Sequence, residues 1–146
     1  VLACNPPLVI ADEPTAGLDI LVKNQTIALL KEQFSDKALL LITHDLGTAH
    51  ELCSRIAVMY AGEIVESGST REVLTKPLHP YTQGLLASLP SAGLHPIPGM
   101  SPSPNEMPCG CRFCARCSSA LDTCHTEHPA LKSAGGSRQV RCLRYD

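Results

Sequence analysis

Tryptophan is absent, and phenylalanine and tyrosine together number five in 146 residues. A broad aromatic platform for stacking bases is thereby excluded. Neither sign of charge dominates, since 12 basic and 14 acidic residues leave a net −2. Such a balance exerts no global pull on nucleic acid or on an acidic membrane. No apolar run reaches the roughly 18 residues that a membrane span needs, so a membrane role requires a partner. The opening Val1-Leu2-Ala3-Cys4-Asn5-Pro6-Pro7 lacks a basic stretch followed by a long apolar one and does not read as a signal peptide. What is present, 44% hydrophobic and 18% charged residues, is the mix of a globular chain rather than a disordered one. The length fits one domain with a small appendage.

Cysteine and proline are plentiful and unevenly placed. Of eight Cys, six fall at 109, 111, 114, 117, 124 and 142, and six of the twelve Pro fall between Pro90 and Pro108. Residues 1–108 carry 6 basic and 11 acidic groups, whereas residues 109–146 carry 6 and 3. The chain reads as an acidic α/β body over 1–76, a segment with a helix and a Pro-rich strap over 77–108, and a basic Cys-rich tail over 109–146. There is no internal repeat.

Leu8-Val9-Ile10-Ala11 is a continuous apolar run, the signature of a strand buried on both faces of a parallel sheet. Asp19 offers an N-cap for a helix reaching about Phe34, with Val22, Ile27, Leu30 and Phe34 at helical spacing. Ala38 to Ile42 reads as a second buried strand, and Asp45 as the cap of a helix from Leu46 to Cys53. Strand, helix, strand, helix is the plan of a parallel sheet with right-handed crossovers. Ile56 to Tyr60, Ala61-Gly62 and Glu63 to Glu66 then form a β-hairpin ended by Gly68. Ser69 and Glu72 form a capping box, and a helix runs from Tyr81 to Leu89, stopped by Pro90. The proline density of 90–108 excludes regular helix or central strand. Two buried strands and a hairpin leave apolar edges and faces uncovered, so the chain is expected to be the C-terminal part of a larger α/β domain.

The two parallel strands end in polar groups, Asp12-Glu13 and Thr43-His44-Asp45. Parallel strands point the same way, so His44 is expected beside Asp12 and Glu13 at the sheet edge where α/β folds bind ligands. An Asp there can organise Mg²⁺ and a neighbouring Glu can orient an attacking water, the chemistry of phosphoryl transfer. An apolar strand that simply meets solvent at two acids is the plain alternative.

The run Leu8 to Asp19, with Asp12-Glu13-Pro14-Thr15 and Leu18-Asp19, resembles the Walker B strand and D-loop of ABC-type ATPases. Leu41-Ile42-Thr43-His44-Asp45 resembles their H-loop, and Met59 to Gly68 their following hairpin. His79-Pro80-Tyr81-Thr82, Leu85 to Pro90, Ile97-Pro98-Gly99 and Gly110-Cys111-Arg112-Phe113 are similar to the C-terminal extension of ATPase subunits from dipeptide, oligopeptide and nickel ABC importers. The resemblance implies that Asp12 organises Mg²⁺ of Mg-ATP, that Glu13 is the general base, that His44 contacts the γ-phosphate and that Asp19 acts across the ATPase dimer. The family's Walker A loop, G-x-x-x-x-G-K-[ST], its Q-loop and its signature motif are not in this sequence. The phosphate cradle and its lysine are therefore missing, and this chain alone is expected to be inactive.

Clustered cysteines without a signal peptide point to metal ligation over disulfides. Cys111-x2-Cys114-x2-Cys117 has the close spacing of ferredoxin-type clusters. Cys-x2-Cys pairs equally suit tetrahedral zinc, with His125 and His128 as candidates to join and His128-Pro129 as a turn. Unliganded thiols are a third reading. Cys4 and Cys53 read as buried small apolar residues. The importer extension carries Cys-x5-Cys-x6-Cys…Cys, associated with a [4Fe–4S] cluster in some members. This implies Cys111, Cys117, Cys124 and Cys142 as ligands, Cys109 and Cys114 as extras and Cys114 as a substitute. Arg112, Arg116 and Arg141 are expected to offset the cluster charge, and structural stapling is expected ahead of redox sensing.

The resemblance further implies the ATP-hydrolysing subunit of an importer for peptides or nickel, cytoplasmic and peripheral on the inner face of the membrane. Its partners would be the N-terminal half of the ATPase domain, a second and usually different ATPase subunit, permease subunits and, indirectly, a substrate-binding protein, with no nucleic acid. The rival reading is a stand-alone Fe–S or zinc-binding interaction module. An ABC-type DNA-repair ATPase also combines such motifs with Cys-rich sites, but the net charge and the His79-Pro80-Tyr81 segment weigh against it.

Overall fold

The computed structural model describes residues 6–146. The expectation for Cys4 lies outside the described residues. The chain divides into two compact units at Ser54/Arg55, and the segment boundaries expected at 76/77 and 108/109 both lie inside the second unit.

In the first unit, β1 (Leu8–Asp12) pairs in parallel with β2 (Ala38–Ile42), with Asp12 opposite Ile42. Helix α1 (Ile20–Gln33) starts where Asp19 Oδ1 accepts the backbone N–H groups of Leu21 and Val22 at 2.9 and 3.0 Å. Helix α2 (Leu46–Leu52) starts where Asp45 Oδ1 accepts from Gly47. Caps of this kind contribute about 1 kcal/mol each. Val9, Ile27 and Ala49 are the buried apolar residues. The expectation of strands buried on both faces is corrected here. Leu8, Ile10, Leu40 and Ile42 are between 48% and 63% exposed, because two strands and two helices provide cover for one face only. For the same reason Val22 is exposed, and Cys53 is half-buried rather than buried.

The second unit is built on β3 (Arg55–Tyr60) and β4 (Glu63–Ser69), joined by Ala61-Gly62 with φ +48° and +82°. Positive φ at both positions is the hairpin turn whose twist matches its strands. Val58 pairs with Glu66 but Met59 with Ile64, so Val65 is a bulge. A one-residue bulge reverses the in/out alternation, and Val65 and Glu66 are consequently both buried. The strand does not end at Gly68 as expected. It continues to Ser69 because Gly68 and Ser69 still pair with Ile56 and Arg55 of β3. The other edge of β4 receives β6 (Gln139–Val140) from the tail at Glu66 and Ser67, and β5 (Lys132–Ser133) pairs with β6.

Ser69 Oγ caps α3 (Thr70–Thr75) by accepting from the Glu72 N–H. Helix α4 (Pro80–Ala87) begins with proline at its first position, where no N–H is needed. Pro90–Ala92 forms a 3-10 turn. The core is Val58, Tyr60, Val65, Val73 and Phe113, with Tyr81, Leu85, Ile97, Cys111 and Cys117 packed against it. Tyr60, Tyr81 and Phe113 meet ring to ring at centroid distances of 4.6 to 5.5 Å, the tilted and edge-on arrangements that ring quadrupoles favour. No helix among the described residues is long and apolar enough to cross a membrane.

Candidate functional site

Two groups of chemically capable side chains emerge, one in each unit. At the β1/β2 end, the Glu13 N–H donates to Ile42 O at 2.8 Å, extending the ladder one residue past the strand. Glu13 then turns with φ +46°, a left-handed conformation uncommon for a residue with a side chain. The turn aims its carboxylate across the sheet edge. Oε1 accepts the His44 backbone N–H at 2.9 Å and lies 2.8 Å from His44 Nδ1, while Thr43 Oγ1 is 3.4 Å from Oε2. The His44 hydrogen bond, with the backbone and charge of the same residue, holds the Glu13 carboxyl below its ordinary range, so it is a carboxylate at neutral pH. His44 is 82% exposed on its side chain, open to a ligand.

The structure thus brings Glu13 and His44 together. Asp12 ends β1 beside them, exposed. The Asp19 carboxylate is occupied as the cap of α1. Sequence reasoning gave no role to Lys23, which forms an ion pair with Asp45. Burial acts against the Asp45 charge, but Lys23 and Thr48 outweigh it and hold the carboxyl at about 2.

The second group is the tail. The Cys111 N–H donates to Cys124 O at 2.8 Å, and Gly110 lies so close to the Cys124–His125 backbone that a side-chain carbon has no room. The sulfurs of Cys111, Cys114, Cys117, Cys124 and Cys142 influence one another electrostatically. Burial is the largest influence on the thiols of Cys111, Cys114, Cys117 and Cys142 and pushes all four up, Cys111 to about 11.

Backbone donors separate the five. The N–H of Phe113 acts on Cys111, that of Ser119 on Cys117 and that of Arg144 on Cys142, each two residues ahead of its sulfur. Leu121 N–H donates to Cys124 Sγ at 3.4 Å. Only burial and neighbouring sulfurs act on Cys114. Donors aimed at sulfur favour the thiolate, and here they act against the larger effect of burial. Among the described residues no three His, Cys, Asp or Glu are grouped to hold a single ion.

The arginines depart from expectation. Arg112 donates to Ala61 O and pairs with Glu63. Arg116 donates to Ile97 O and Pro98 O, and Arg141 to Ile64 O and Pro129 O. Backbone carbonyls accept from these three guanidinium groups, and they tie the tail to the hairpin and to segment 96–101. The charge that does oppose burial at Cys117 and Cys142 is Arg144, whose place two residues after Cys142 is its one sequence signal. His128 is held by Glu63 at 2.9 Å, outside the thiol group.

His79 is 2% exposed. Its Nδ1 accepts the Tyr81 N–H at 3.0 Å, capping α4. Burial lowers it to about 4, with Glu66 and the Arg141 carbonyl acting in the opposite direction. The His-Pro-Tyr motif therefore has a physical account: a neutral imidazole cap, a proline start and a ring for the aromatic cluster.

Residues 65–124 match the family described as Oligopeptide/dipeptide transporter, C-terminal region. Over 99% of its length the chain is 44% identical to the oligopeptide transport ATP-binding protein AppD of Bacillus subtilis, of which it spans 46%. It is 44% identical over 97% of its length to the dipeptide transport ATP-binding protein DppD of Escherichia coli, spanning 45% of that protein. It is 43% identical to a putative peptide import ATP-binding protein of Brucella ovis, with 99% of the chain and 46% of the relative covered. The resemblance read from the motifs is thereby shown, and it runs along nearly the whole chain to the C-terminal part of ATP-binding proteins of peptide importers. The chain spans just under half the length of these relatives.

Proposed function

We propose that the chain is the C-terminal portion of the ATP-hydrolysing subunit of an ABC importer for peptides, acting on the cytoplasmic face of the membrane with permease subunits, a second ATPase subunit and a substrate-binding protein. The convergence of Glu13 and His44 at the ends of two parallel strands carries this reading. Mg-ATP supplies the phosphoryl group when bound. Asp12 would hold the metal through its waters, Glu13 would orient the attacking water and His44 would meet the terminal phosphate. The strand end fits these roles because Glu13 is ionised and partly exposed and His44 is open to solvent. The phosphate cradle must come from a Walker A loop that this sequence does not contain. Asp19 would reach the second subunit while capping α1. The uncovered apolar face of β1 and β2 is where the rest of the α/β sheet domain would pack. The relatives named above are titled for oligopeptides, dipeptides or peptides, and peptides are favoured over nickel on that ground.

The tail would hold a [4Fe–4S] cluster through Cys111, Cys117, Cys124 and Cys142. The support is the backbone N–H directed at each of these sulfurs. Zinc is the rival occupant, and Cys114 the substitute ligand. The decisive experiment on function is uptake of labelled di- and oligopeptides by cells carrying the complete transporter with Glu13→Gln. Loss of uptake is expected, and undiminished uptake overturns the reading.

A further inference from the structure

The loop leading into α4 is held by Glu66, by Gln83 of the helix it starts and by the tail. Glu66, fully buried, accepts the N–H groups of Leu78 and His79 at 2.9 Å each, one on each carboxylate oxygen. Gln83 Nε2 donates to Pro77 O and Leu78 O at 3.1 and 3.3 Å, and the tail adds further contacts. Arg138 reaches Glu66 Oε1 at 2.7 Å and also donates to Lys76 O. Tyr145 Oη donates to Leu78 O at 3.3 Å.

A buried carboxylate needs a cation, and Arg138 is the one that reaches Glu66. Arg138 precedes β6, which is only two residues long and pairs with β4 at Glu66 and Ser67. So short a strand is marginal by itself. Directly after it, the Arg141 N–H donates to Val65 O at 2.8 Å, and then comes Cys142. Cys142 thus lies between the two tail residues, Arg138 and Tyr145, that grip loop 76–79. Gly68 leaves the room for this approach, since a side-chain carbon there would crowd Arg138 and Val73.

We propose that loading the thiols closes the tail as a clip on the loop before α4, with Arg138–Glu66 as its latch. The inference rests on the reading of Cys111, Cys117, Cys124 and Cys142 as a ligand set. A cofactor joining Cys142 to the other three sulfurs shortens a 17-residue excursion from Cys124, which reduces the freedom of the segment carrying Arg138 and Tyr145. Metal loading and loop order are then linked, and each stabilises the other by the same free energy. The loop in question starts the helix of the His-Pro-Tyr motif, so the state of the tail reaches the start of α4 through Glu66 and this loop.

The test is hydrogen exchange at the Leu78 and His79 amides of the full chain, loaded with ferrous iron and sulfide without oxygen or stripped with a chelator. Iron per chain is counted on the same samples. Loading is expected to slow exchange at both amides by about tenfold. In Arg138→Met the iron count is expected to stay and the slowing to vanish. Tyr145→Phe, which exposes no buried charge, is expected to bind iron and to lose part of the slowing at Leu78. Equal exchange in the loaded and stripped forms, with iron bound, overturns the clip. Failure to take up iron overturns the ligand reading itself, and the clip with it.

Discussion

Glu66 and Arg138 lie 72 positions apart in sequence and meet at 2.7 Å, with Glu66 fully buried. The pair joins the hairpin strand to the tail, and two amides of the loop before α4 rest on the same carboxylate.

Removing one partner should be far worse than removing both. Arg138→Met leaves a buried carboxylate uncompensated and is expected to cost about 3–5 kcal/mol. Glu66→Met combined with Arg138→Met should recover part of that loss. Urea unfolding of the two variants checks the order. A single variant as stable as the double would show the pair to be unimportant.

His79 gives the second unit a definite pH response. Its folded value of about 4 lies below the ordinary 6.5, so unfolding takes up a proton between those values. Stability should be complete above about pH 6.5 and fall toward pH 4, by at most about 1.4 kcal/mol per pH unit from this group. His79→Asn keeps a capping side chain and removes the titration. Its unfolding free energy should lack this slope while losing stability at neutral pH.

The cysteines should divide four against one. Cys117→Ser is expected to abolish iron and sulfide binding in protein purified without oxygen, whereas Cys114→Ser, whose sulfur receives no backbone donor, should retain both. Arg144→Gln should keep the iron and lower the reduction potential of the site, and Arg144→Lys should restore it, because removing a positive charge makes the oxidised state easier to hold. One zinc and no sulfide in the wild-type chain would contradict this assignment.

Gly110→Ala is expected to destabilise the tail by about 1–3 kcal/mol, since the added carbon must displace the Cys124–His125 backbone. Thermal unfolding of the second unit measures it. An unchanged midpoint would mean that the loop yields freely.

Much of this was legible in the sequence because the signals are local. Asp19, Asp45 and Ser69 cap the helices they precede. The strands Leu8–Asp12 and Ala38–Ile42 pair in parallel, so Glu13 and His44 fall together by topology alone. What was illegible depends on distant segments. Alternation along Ile64-Val65-Glu66 places Glu66 outside, and only the bulge at Val65 turns it inward. The outer edge of β4 at Glu66 and Ser67 is paired by residues 139 and 140, far along the chain. The arginines near the cysteines suggested charge balance, yet hairpin and loop carbonyls far away in sequence claim three of them. Apolar periodicity in α1 correctly indicated a helix, but not which of its residues are covered.

The role proposed for Glu13, orienting the attacking water, is open to a direct test. The measurement is magnesium-dependent ATP turnover by the complete protein with its permease partners, alongside ATP binding, for wild type and Glu13→Gln. The expected result is a loss of turnover on the order of 10²–10⁴-fold with binding retained, and no turnover by residues 1–146 alone. Turnover unchanged in Glu13→Gln, or robust hydrolysis by residues 1–146 alone that this substitution abolishes, would contradict the account.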